Sequence, residues 1–67
     1  MEEVGARIRS MRKAAGLTQE ELASRIGVSR STVNKWENGA YSFMSTLHLE
    51  RLVAALGCGV EEILKRK

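Results

Sequence analysis

Apolar residues recur along this chain at helical spacing. Val4, Ile8, Met11 and Ala15 follow one another at i+4, i+3 and i+4, one face of a helix. Arg7, Arg9, Arg12 and Lys13 fall mostly off that stripe. Gly16 stands where a left-handed, helix-ending residue is wanted, which sets the end near Ala15. A second helix starts at once. Thr18 is placed to cap it, and Glu21, three residues on, completes a reciprocal capping box. Leu17 and Leu22 flank the cap as a hydrophobic staple, and Glu20 and Glu21 suit the positive helix N-terminus. The helix runs to Ile26 and stops at Gly27.

The same grammar repeats. Ser29 is the next N-cap, with Val28 and Val33 placed to staple, and this third helix runs through Trp36 and Glu37 to Asn38-Gly39. Two short helices around a turn with one glycine read as a helix-turn-helix over residues 18–38, its second helix spanning 29–38. Residues Ala40 to Met44 read as a loop, and Ser45 caps a fourth helix whose apolar face is Leu49, Leu52, Val53 and Leu56. Gly57 and Gly59 bracket a break around Cys58. A fifth, short helix is expected from Val60 to about Lys65, with Val60, Ile63 and Leu64 apolar. The fold class is all-α: five helices in one compact domain across residues 1–67, with no linker, repeat or low-complexity segment.

Composition agrees with a small folded domain. Of 67 residues, 43% are apolar and 28% charged, more apolar material than a disordered chain carries. The single cysteine, Cys58, has no partner for an intrachain disulfide, and no Cys/His cluster offers a zinc site. Cys58 reads as a small buried apolar residue. His48 reads as a surface or half-buried histidine, because no second metal-binding residue is near it. No signal peptide or long apolar run is found, and a membrane span would need about 20 apolar residues, so a cytoplasmic protein is expected. The net charge of +3 permits a polyanionic partner without requiring one. The run Lys65-Arg66-Lys67 is most simply a solvated helix end.

The stretch from Gln19 to Asn38 resembles the helix-turn-helix of the lambda-repressor-like, or XRE, family of bacterial and phage regulators. Ala23 is small where two helices must cross, Gly27 occupies the turn, and Leu22, Ile26, Val28, Val33 and Trp36 are apolar at inward positions. The flanks resemble the family as well, from Arg7-Ile8-Arg9 and Arg12 through Gly16-Leu17-Thr18-Gln19. Trp36-Glu37-Asn38-Gly39 and Leu52 to Gly57, with Glu61-Glu62-Ile63-Leu64, extend the likeness to about Val4–Leu64. Two features depart from it. Met44 stands where the family has a proline, in a loop one residue longer that holds Tyr41 and Phe43. The fifth helix begins at Gly59 rather than at a serine or aspartate.

What the resemblance implies is a sequence-specific regulator of double-stranded DNA, a repressor or controller, whose third helix enters the major groove. Carried over by position, Ser29, Arg30, Ser31, Asn34 and Lys35 are the candidate base contacts. Thr18, Gln19 and Asn38 are the candidate phosphate contacts, with capping as the plainer reading of Thr18 and Asn38 and surface charge that of Arg30 and Lys35. Arg12 and Glu37 resemble a buried ion pair tying helix one to the end of helix three. Trp36 is read as core. A homodimer through helices four and five, on a palindromic operator, is expected, because one small module covers little DNA and Leu47, Val60, Ile63 and Leu64 crowd the C-terminal third. An interaction module, such as an antitoxin that neutralises a toxin, is the alternative. With one histidine, one cysteine and no triad or metal set, an enzyme is not expected, and neither is a cofactor.

Overall fold

The computed structural model describes residues 4–40 and 44–59, which form four helices: α1 (Val4–Ala14), α2 (Gln19–Ile26), α3 (Arg30–Glu37) and α4 (Thr46–Leu56). The fifth helix expected from Val60 to Lys65 lies outside the described residues, as do Tyr41, Phe43, Ile63, Leu64 and the basic tail. The described architecture is therefore four-helical and all-α.

Each helix start from α2 onward is made by a side chain. The Thr18 hydroxyl accepts from the Glu21 N–H at 3.0 Å, and the Glu21 carboxylate accepts from the Thr18 N–H at 2.9 Å, closing the capping box. Ser29 accepts from the Thr32 N–H at 3.2 Å. At α4 the reciprocal partner of Ser45 is His48, whose Nδ1 accepts from the Ser45 N–H at 3.3 Å while its own N–H donates to Ser45 Oγ at 3.2 Å. His48 is thus a helix-capping residue, and its ring lies 5.7 Å from that of Trp36.

The helix ends share one geometry. A residue just past the following glycine donates its N–H back five positions: Leu17 to Arg12, Val28 to Ala23, Ala40 to Lys35 and Cys58 to Val53. In the helix-turn-helix turn, Gly27 has φ +89°, a left-handed conformation that costs any residue with a Cβ roughly 1–2 kcal/mol. One boundary differs from expectation. Helix α1 ends at Ala14, and Ala15 is exposed rather than part of the apolar face, because the chain has already turned toward Gly16.

The core is one residue from each outer helix and most of the helix-turn-helix: Ile8 on α1, Leu22, Ala23 and Ile26 on α2, Val33 and Trp36 on α3, and Leu52 on α4. Burying each large side chain contributes about 1.5–3 kcal/mol. Leu17 and Val28, the residues before the caps, pack against this cluster half-buried. Trp36 is fully buried, and among the described residues its Nε1 is the buried side-chain polar atom that lacks a hydrogen-bond partner. Helix α3 packs on both α1 and α2, and α4 packs on α2. The contact of α1 with α3 depends on Gly5. A Cβ there would lie 2.6 Å from the backbone oxygens of both Trp36 and Glu37, so only glycine lets α1 approach this closely.

Candidate nucleic-acid interface

Burial of Val33 and Trp36 turns the opposite side of α3 outward. Ser29, Arg30, Ser31, Asn34 and Lys35 are all exposed, on and just before this helix. Ser29 holds a more fixed role than its neighbours, because its hydroxyl caps the helix and also pairs with Thr32 Oγ1 at 3.0 Å.

Beneath that surface lies an ion pair. Arg12 Nε donates to Glu37 Oε2 at 2.6 Å, Arg12 Nη2 donates to Oε1 at 3.3 Å, and Nη1 donates to the Leu17 carbonyl at 2.8 Å. Both side chains are nearly removed from solvent, at 10% and 3% exposure. Arg12 therefore faces inward and ties α1 and the turn before α2 to the last residue of α3. The planar guanidinium can do this because it carries donors in a fixed fork.

Gln19 and Asn38 join the same network. The Gln19 amide, expected to face a phosphate, instead donates from Nε2 to Glu37 Oε1 at 3.0 Å and to Asn34 Oδ1 at 3.2 Å. Asn38 donates from Nδ2 to the Asn34 carbonyl at 2.8 Å, with Asn34 Oδ1 at 3.3 Å. Both amides have their hydrogens engaged within the protein. The hydroxyl oxygen of Thr18 is the cap of α2.

These side chains line one open groove of ≈ 520 Å³ between α1, the start of α2 and α3, with Arg9, Glu20 and Arg30 on its walls. Arg12 and Glu37 neutralise each other, which leaves Arg9 and Arg30 against Glu20 and a positive balance. Such a groove suits a polyanion. Sequence reasoning misses the Gln19–Asn34 link, the groove position of Arg9 and Glu20, and the role of Gly5. A glycine interrupting the first turn of an amphipathic helix is the available signal for Gly5. Nothing local signals the Gln19–Asn34 link. Among the described residues, no group of His, Cys, Asp and Glu side chains could hold a metal ion, and no helix is long and apolar enough to cross a membrane.

Comparison with known proteins agrees with this geometry. The helix-turn-helix domain family matches residues 3–64. An uncharacterized HTH-type transcriptional regulator of Methanothermobacter thermautotrophicus is 52% identical over 50 residues, covering 75% of this chain and 71% of that protein. Four further relatives are spanned over 54%, 28%, 19% and 51% of their length. Among solved structures, the restriction-modification controller protein C.AhdI from Aeromonas hydrophila superposes with a TM-score of 0.81 at 37% identity, over 90% of this chain and 89% of that one. The P22 c2 repressor in complex with a synthetic operator superposes with a TM-score of 0.87 at 31% identity, over 97% of both chains. The match over nearly all residues, with a buried helix-turn-helix core and an exposed outer face on α3, means that this chain belongs to the helix-turn-helix domain family in its lambda-repressor-like form.

Proposed function

We propose that this chain is a sequence-specific double-stranded DNA-binding transcriptional regulator that acts by occupying an operator at a promoter. The observation that carries the reading is the exposed edge of α3, Arg30, Ser31, Asn34 and Lys35, standing beside a positively balanced groove. A helix of this kind fits the major groove, where Arg30 offers two donors to guanine O6 and N7 and Lys35 offers donors to guanine or phosphate. At the start of α2, the backbone N–H groups of Gln19 and Glu20, rather than the Gln19 side chain, are the groups suited to a phosphate. The solved P22 c2 repressor complex with its operator supports this reading by likeness of fold.

One eight-residue recognition helix reads few base pairs, so the active form is a symmetric dimer on a palindromic site, with recognition helices about 34 Å apart. Leu47 on α4 is 51% exposed, the large apolar side chain left uncovered among the described residues, and it supports a dimer contact at the C-terminal end of the domain. The test is selection of bound duplexes from a random pool at two salt concentrations, followed by footprinting and sedimentation of the complex. An enriched palindrome protected by two protein copies is expected. Absence of any enriched duplex, together with retention of a toxin-like partner, would favour the antitoxin alternative instead.

A further inference from the structure

The carboxylate of Glu37 sets the direction of a hydrogen-bond chain that reaches the outer edge of α3. A carboxylate held by Arg12 only accepts, so the Gln19 atom 3.0 Å from it is the N–H₂ nitrogen. The second hydrogen of that nitrogen points at Asn34, 3.2 Å away, so the Asn34 atom facing it is the carbonyl Oδ1. Asn38 imposes the same choice independently. Its Nδ2 donates to the backbone carbonyl of Asn34 at 2.8 Å and lies 3.3 Å from the same Oδ1. An amide oxygen has two lone pairs, and Gln19 and Asn38 occupy both. Turning Asn34 over would set N–H against N–H on both sides.

We propose that Asn34 is a donor-only DNA contact, oriented by Gln19 and Asn38 so that its Nδ2 hydrogens bind acceptor atoms of the duplex. The inference rests on the DNA reading of α3 above and specifies which chemistry one of its side chains recognises. A free asparagine reads adenine with two bonds, Oδ1 accepting from N6 and Nδ2 donating to N7. Here Oδ1 is occupied, so that pairing is lost. What remains is donation to the N7 of either purine, to guanine O6, to thymine O4, or to a phosphate oxygen. Gln19 is the positioning residue: it touches Asn34 and Glu37 from α2 and holds the amide in one orientation.

The experiment is an affinity series on single-base variants of the selected operator for the wild-type protein, Asn34→Ala, Gln19→Ala and the double variant, each checked for folding by circular dichroism. Asn34→Ala is expected to lower affinity about fivefold, the equivalent of one neutral hydrogen bond. A loss that depends on the base at one position, without favouring adenine over guanine, identifies a base acceptor, and an equal loss on every operator identifies a phosphate. Gln19→Ala is expected to weaken binding as well, while the double variant loses no more than Asn34→Ala alone, because the two side chains act through one contact. A purely structural Gln19 would make the losses add. A wild-type preference for adenine over guanine that disappears in Asn34→Ala would overturn the proposal, as would additive losses or an Asn34→Ala protein with unchanged affinity. Failure of the wild type to bind any duplex would overturn the DNA reading itself, a result distinct from an adenine preference.

Discussion

Arg12 and Glu37 meet across the domain in a two-bond ion pair, Nε to Oε2 at 2.6 Å and Nη2 to Oε1 at 3.3 Å. The third arm of the guanidinium holds the Leu17 carbonyl. One side chain thereby fastens α1, the turn before α2 and the end of α3, so the angle at which α3 is presented depends on it. Glu37 in turn directs the Gln19 amide, and the consequences run from the buried pair to the surface.

Arg12→Ala is expected to cost about 3–5 kcal/mol of folding stability, because it leaves the Glu37 carboxylate buried without its cation. Arg12→Lys should recover only part, since an ammonium lacks the fork that holds both carboxylate oxygens and the Leu17 carbonyl. Denaturant unfolding of the two variants checks this. Wild-type stability with reduced DNA affinity alone would mean that Arg12 acts on DNA and not on the fold.

Gly5→Ala introduces a Cβ 2.6 Å from two backbone oxygens at the end of α3. Backbone atoms cannot swing aside as a flexible side chain would, so α1 must shift away. A loss of roughly 1–3 kcal/mol is expected, despite the better helix propensity of alanine. A Gly5→Ala variant that unfolds at higher denaturant than wild type would refute the close approach.

Arg30→Ala is expected to cost about 1–3 kcal/mol on the best operator and to relax preference at one base pair per half-site. Binding to single-base operator variants measures both. A preference profile of unchanged shape, shifted to lower affinity, would make Arg30 a backbone contact and leave specificity to Ser31, Asn34 and Lys35.

Glu20→Gln removes the carboxylate that opposes Arg9 and Arg30 on the groove wall. Binding to every duplex should tighten at low salt, and the gain should shrink as salt rises and screens the exposed charge. The helix itself should be slightly less stable, since an acidic residue in the first turn favours the positive end of α2. Unchanged binding at low salt would place Glu20 away from the DNA.

Much of the fold is legible in the sequence because it is set locally. Thr18 with Glu21, Ser29 and Ser45 start helices through bonds that span three residues, and Gly16, Gly27, Gly39 and Gly57 end them with positive φ. The core residues Ile8, Leu22, Ile26, Val33, Trp36 and Leu52 all lie on the helical faces that their spacing marks. The Arg12–Glu37 pairing comes from resemblance, since 25 residues separate the partners and neither carries a local signal.

Capping residues, turn glycines and apolar periodicity in the chain alone determined that this is an all-helical domain with a helix-turn-helix, and the resemblance marked the polar edge of α3. The tertiary structure decided which atoms on that edge remain available. Gln19 is a good candidate for phosphate when read by position, yet its amide hydrogens are drawn to Glu37 and Asn34 once α2 and α3 cross. An amide can donate or accept in any direction until a neighbour of fixed polarity fills one side. Those neighbours, distant in sequence, are supplied only by packing, and Gly5 sets how closely α1 comes to the end of α3 that carries Glu37.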